Sequence, residues 1–331
     1  GTTWVQRSVP FSLYDPLNGI FFLDGQNGWA FGNANYRTTD GGTTWTELPF
    51  LGSTYFMEFH TSAFGFASGN GGGSVSRDGG LSWTPSPNGM TVFDFSGSTG
   101  LGGSGTGLYR TADGGVTFTP VLAGAADAVT FLAATIAVGI VDGGFVRSTD
   151  GGVTWTAGAS TGGRNRLLAI SADIALAWGR SGTFPDFDDR LLRSGDAGQT
   201  WADLGEMMPN GALAFAVPGA PSVVASDFSG NMFHSADLGL TWAPSFSSPG
   251  LSPGFLGSVV PVFADAQTGY FGYGAGFVIK TVDGGESWTQ ISSGTGQTIN
   301  DMDRFPNGNL IAVGQSGTVL LSTGSTPWLL E

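Results

Sequence analysis

The chain has no cysteine and a single lysine, Lys280. The missing thiols exclude disulfides, thiolate metal centres and cysteine nucleophiles. Only 11% of the 331 residues are charged, and the formal net charge is −14. Clustered Lys and Arg, which phosphate backbones require, are absent, so nucleic acid is excluded as a partner. No apolar run approaches the roughly 18 residues that cross a bilayer as a helix. Long helical periodicity is missing, and no glycine-rich segment introduces a helix of the kind that cradles phosphates. His60 and His234 lack metal-ligand spacing, and no Ser/His/Asp set sits in a nucleophile-elbow context.

What is present is glycine, 57 residues of it, with Ser, Thr and aromatics in short runs. The glycines have no three-residue period, so collagen is excluded. Short β-prone runs between turn residues describe an all-β chain.

One motif recurs. Its first complete copy is Thr38-Thr39-Asp40-Gly41-Gly42-Thr43-Thr44-Trp45. Further copies centre on Asp78, Asp113, Asp150, Asp196, Asp237 and Asp283. The closing aromatics are Trp4, Trp45, Trp83, Phe118, Trp155, Trp201, Trp242, Trp288 and Trp328, at intervals of 35 to 46 residues. That is the length of a four-stranded propeller blade. In blade 1 the pattern predicts strands at Gly19 to Leu23, Gly28 to Gly32, around Tyr36 to Thr38, and Thr44 to Leu48. The aspartate is expected to accept N–H bonds in the turn between the third and fourth strands. The Gly two residues on supplies positive φ, and the Trp wedges between blades. These seven aspartates are therefore read as structural. The last copy has Thr323 in the aspartate position, while Thr2 to Gln6 is an outer strand without a blade. The expected fold is a single β-propeller domain spanning 1–331. Eight blades are preferred over seven, and the ring is closed by the N-terminal strand, which removes an edge. A start in mid-hairpin reads as a processed or trimmed chain and leaves an export signal upstream open.

The boxes identify the chain as similar to Asp-box (bacterial neuraminidase repeat) propellers. In texture it resembles the photosystem II stability/assembly factor family, through Gly28-Trp29-Ala30-Phe31-Gly32, Ile136-Ala137-Val138-Gly139 and Leu310-Ile311-Ala312-Val313-Gly314. The resemblance implies a non-catalytic, extracytoplasmic protein, periplasmic, lumenal or secreted. It would need no cofactor and would bind protein subunits of a membrane complex, peripheral to the bilayer. Two features depart from that family, which is seven-bladed and carries an arginine-rich patch. Here five of the twelve Lys and Arg residues, Arg37, Arg110, Arg147, Arg193 and Lys280 with His234 equivalent, sit three before the box aspartate, a periodic structural position.

Asp-box sialidases need an arginine triad, but only Arg166 and Arg304 lie near inner strands. The alternative is a carbohydrate-binding or glycoside-hydrolase-like propeller, which would draw an acid/base pair from Asp24, Glu58, Asp94, Asp265, Asp301 and Asp303. Asp24 and Asp265 occupy matching places in blades 1 and 7 and also read as turn caps. Asp186, Asp188 and Asp189 alternate on a loop and are weak Ca²⁺ candidates; no metal is expected. Three apolar loops offer partner-binding residues: Phe11, Leu13 and Tyr14 before blade 1, Phe184 and Phe187 in blade 5, and Leu251, Phe255 and Leu256 before blade 7. Phe11, Tyr14, Phe255 and Leu256 would anchor a docking arc beside blade 8.

Overall fold

A computed structural model describes residues 3–6, 16–49, 52–70, 72–179, 181–183, 186–188, 190–205, 213–217, 219–227, 229–248, 261–305 and 309–323; side chains are described for all but 3–6, 181–183, 186–188, 213–216 and 323. Eight four-stranded antiparallel sheets form a β-propeller, with strands ordered from the inner to the outer edge as in the chain in all but blade 8. The innermost strands are Leu17–Phe22, Thr54–Phe59, Val92–Ser96, Ala126–Phe131, Arg166–Ala169, Leu213–Ala216, Val262–Phe263 and Ile299–Arg304. In blade 1 the remaining strands are Gly28–Gly32, Tyr36–Thr38 and Thr46–Glu47, so the inner strand begins earlier and the outer one is shorter than the pattern predicts. Trp45 stands just ahead of the outer strand because its side chain closes the turn.

Ring closure is as expected. Thr3–Gln6 forms the outermost strand of blade 8, pairing Thr3 with Thr323 and Gln6 with Leu320. Blade 5 carries an inserted two-stranded hairpin, Ser181–Thr183 with Asp186–Asp188, where a plain loop was anticipated.

The core lies in the seams between blades. Leu17, Ile20 and Phe22 of blade 1 pack on Phe305, Ile311 and Val313 of blade 8. Similar clusters join blades 1 and 2, 3 and 4, 4 and 5, 5 and 6, 6 and 7, and 7 and 8. The alternation of strand side chains explains this: successive residues face opposite neighbours, so both faces of each sheet are buried.

Each box adds an aromatic to the seam with the preceding blade. Trp45 meets Phe22 edge-on at 6.0 Å, and Trp201 stacks on Phe145 of blade 4 at 4.0 Å. In blades 3, 4 and 5 the basic residue three before the aspartate crosses the opposite seam. Arg110 Nε donates to the Gly151 carbonyl at 2.7 Å, Arg147 Nε to Ala197 at 2.7 Å, and Arg193 Nε to Leu238 at 2.9 Å. Each acceptor is the residue after the next blade's box aspartate. Arg110, Arg147 and Arg193 are thus fasteners between blades.

Removing residues 1–6 strips the partner from the Val319–Thr323 edge. The truncated chain is expected to melt at lower temperature and to self-associate with concentration, read by thermal unfolding and size-exclusion chromatography. A monomer of unchanged melting temperature would contradict this closure.

Candidate functional site

All seven box aspartates are fully engaged in their turns. Asp40 Oδ1 accepts the Thr38 hydroxyl at 2.8 Å and the Thr44 N–H at 2.8 Å, and its Oδ2 accepts the Thr44 hydroxyl at 2.6 Å. Thr38 Oγ1 in turn accepts the Gly42 N–H at 2.8 Å. The same set recurs at Asp78, Asp113, Asp150, Asp196, Asp237 and Asp283. The glycines two residues on have positive φ in every copy, as at Gly42 (84°). Bonds to the charged form hold the carboxyls down. The Thr154 hydroxyl and N–H and the Ser148 hydroxyl set Asp150 at about 2. At Asp237 burial is outweighed by bonds from Thr241 and Ser235, which also give about 2. These groups stay ionised and bound, unsuited to proton transfer.

The inner carboxylates divide differently. Asp24 caps its turn by accepting the Gln26 and Asn27 N–H groups, both at 2.7 Å. Asp265 does the same for Gln267 and Thr268. The reading of these two as matching caps holds. Asp301 and Asp303 of blade 8 reach across the ring-closing seam. Asp301 accepts the Ile20 N–H at 2.9 Å, and Asp303 accepts that of Phe22. Each also accepts the N–H of the residue that follows it. Asp94 of blade 3 repeats the device with Phe131 of blade 4, at 2.7 Å, and adds the Thr130 hydroxyl and its neighbour Phe95 N–H. These aspartates satisfy N–H groups on the open edge of the next inner strand, which no further strand can pair. Burial nevertheless raises all three: Asp94 and Asp301 go up from the usual carboxylate range, and Asp303 is pushed up to about 6.

Glu58 is the exception among the six. It makes no hydrogen bond among the described residues. Its side chain meets solvent, yet protein encloses it on most sides. That burial, with the Asp94 charge, raises its carboxyl. Arg166 lies on the inner strand of blade 5, where burial lowers its affinity for the proton, and Arg304 is exposed at the end of the blade 8 inner strand. No arginine triad forms from these two.

Glu58 and Asp94 line a small, solvent-open cleft between blades 2 and 3, with Phe56, His60, Phe64, Gly65, Phe66, Phe93 and Phe95. Strand alternation builds it. Along Thr54–Phe59, Met57 and Phe59 turn toward Trp29 and Phe31 of blade 1, which sends Phe56 and Glu58 toward blade 3. The inner strands of blades 2 and 3 stand apart, whereas those of blades 1 and 2 and of blades 3 and 4 run side by side. Aromatic rings fill the seam instead. Phe66 meets Phe93 at 4.1 Å, Phe64 meets Phe95 at 5.7 Å, and His60 stacks on Phe95 at 4.3 Å. Phe56 remains 43% exposed at the rim.

The sequence singled out both carboxylates of this cleft but not its aromatic walls. The available signal was an inner strand rich in Phe on both sides of one seam. Of the loop candidates, Phe11, Leu13, Tyr14, Phe184, Leu251, Phe255 and Leu256 lie outside the described residues, as does Asp189. Asp186, Phe187 and Asp188 lie on the inserted hairpin, where only the backbone is described. Among the described residues no three His, Asp or Glu side chains gather as metal ligands.

No sequence-family model matches the chain, and no curated protein sequence matches it. Solved structures do. YCF48 bound to D1 peptide is 18% identical, with a TM-score of 0.56, and the match covers 97% of each chain. YCF48 from Cyanidioschyzon merolae is 17% identical, with a TM-score of 0.52, over 96% of this chain and 98% of that one. The likeness is one of fold. It extends to glycosidases: the GH74 xyloglucanase from Xanthomonas campestris is 15% identical, with a TM-score of 0.52, over 98% of this chain and 75% of that one.

The two sets of carboxyls act on stability with opposite sign. Box aspartates held below the ordinary 3.8, such as Asp150 and Asp237, contribute fully above that value. Their contribution is withdrawn as pH falls from about 4 to about 2, where melting temperatures are expected to drop. Asp303, held at about 6, binds its proton more tightly when folded, so its effect on stability declines as pH rises from about 4 to about 6. Asp303→Asn is expected to make that decline shallower, the remainder coming from Asp94, Asp301 and Glu58, whatever its effect on the absolute melting temperature. An unchanged slope across this window would contradict the assignment.

Proposed function

We propose that this chain is a non-catalytic, extracytoplasmic propeller that binds a larger membrane protein complex of the photosynthetic reaction-centre kind and helps to stabilise or assemble it. One observation carries the reading: five of the six inner carboxylates are committed to backbone N–H groups, and Glu58 alone is free of such bonds. Glycoside hydrolysis needs two carboxyl groups about 5–10 Å apart, each able to exchange a proton or attack. Asp94, the nearest candidate partner for Glu58, has both oxygens tied to Phe95, Thr130 and Phe131. The cleft beside them is walled by phenylalanines, the surface that protein side chains fill. The YCF48 structure with a D1 peptide supplies a precedent of fold for a propeller holding a peptide. No helix among the described residues is long and apolar enough to cross a membrane, which accords with a peripheral role.

Co-purification tests this directly. The tagged chain, expressed in its source organism and recovered after lysis in mild detergent, is expected to bring down reaction-centre subunits. It is also expected to release no reducing sugar from xyloglucan. Recovery without membrane-complex subunits, or turnover of the glycan, would overturn the proposal.

A further inference from the structure

The cleft between blades 2 and 3 has a chemistry of its own, and the inference drawn from it rests on the protein-binding reading above. Five phenylalanines form its walls, two carboxylates lie among them, and no arginine or lysine contributes to the lining. Glu58 has its full accepting capacity unused. Asp94 is held rigidly: its Oδ2 accepts the Phe131 N–H and the Thr130 hydroxyl, and its Oδ1 accepts only the Phe95 N–H and keeps a lone pair for a ligand. Burial raises both carboxyls, and at Glu58 the charge of Asp94 adds to it, although the Glu58 side chain still reaches solvent. A cation placed between them would relieve both effects at once.

We propose that this cleft receives one lysine or arginine side chain from an extended partner segment, with Glu58 and Asp94 meeting the charge and the phenylalanine walls meeting the alkyl stem. The occupant follows from charge complementarity. Phenylalanine faces carry negative quadrupole and attract an ammonium or guanidinium, and long cationic side chains bury apolar stems while their heads reach acceptors. A hard metal ion would need six or more oxygen ligands, which two carboxylates among phenylalanines do not offer. A purely apolar side chain would leave Glu58 enclosed without a partner, at a desolvation cost. The position also suits a protein ligand. The inner strands of blades 2 and 3 stand apart here, and Phe56, 43% exposed, edges the opening where flanking residues of the segment would lie.

The probes are two fluorescein-labelled pentapeptides, Ala-Leu-Lys-Leu-Ala and the same sequence with norleucine in place of lysine, titrated by fluorescence anisotropy at low salt. The intact chain is expected to bind the lysine peptide about tenfold more tightly. Glu58→Gln keeps the side-chain shape and removes the charge, and is expected to bring the two peptides within about twofold of each other at an unchanged melting temperature. Phe56→Ala is expected to weaken both peptides alike. Equal binding of the two peptides by the intact chain, a lysine preference that survives Glu58→Gln, or no binding of either peptide would overturn the proposal. The membrane-complex reading fails separately. If the intact chain and Glu58→Gln recover reaction-centre subunits equally well, the cation site is wrong and that reading stands; if neither recovers them, that reading fails as well.

Discussion

An aspartate that accepts three hydrogen bonds from within its own turn is the constraint on which this molecule depends. In each box the carboxylate ties the Ser or Thr two residues earlier to the Ser or Thr four residues later. The earlier hydroxyl then takes the N–H of the second glycine position. The turn is fixed by bonds internal to eight residues, and the N–H after the aspartate ties it to the loop between the blade's first two strands, as Gly41 does to the Gln26 carbonyl. That rigidity sets the aromatic at its end, and the aromatic is what the neighbouring blade packs against. The carbonyl after the aspartate is fixed too, and at the boxes of blades 4, 5 and 6 it receives the arginine of the preceding blade. One local motif thereby supplies contacts to the seam on its inner side.

The inner edge poses a separate problem, since the first strand of every blade has N–H groups with no strand to pair them. Blades 3 and 8 solve it with aspartates that reach to the next blade. Blade 2 carries Glu58 at the corresponding place and leaves it unbonded, and there the seam opens into the aromatic cleft. An inner carboxylate left unbonded, and not the box repeat, marks the place proposed above for a ligand. This is the sense in which architecture and function separate in a repeat fold.

The boxes, the blade period, the N-terminal closure and the turn caps at Asp24 and Asp265 were legible in the sequence because each depends on residues close together or on a strict repeat. The bonds from Asp301 to Ile20 and from Asp303 to Phe22 were not, because their partners lie 281 residues apart and meet only when the ring closes. The cleft was hidden for another reason. Phe56, Phe64, Phe66, Phe93 and Phe95 each read as ordinary strand residues, and only the spacing of two inner strands leaves room among them. The role of the basic residues fell between these cases: their position was periodic and visible, but the carbonyl acceptors belong to the following repeat.

The most direct test of this account replaces the box aspartates by alanine one at a time and measures the melting temperature and the capture of membrane-complex subunits for each variant. Every replacement is expected to lower the melting temperature, and capture by the folded variants is expected to match the intact chain. A box variant that melts normally yet loses its partner would show that these carboxylates act on a ligand and would contradict the account.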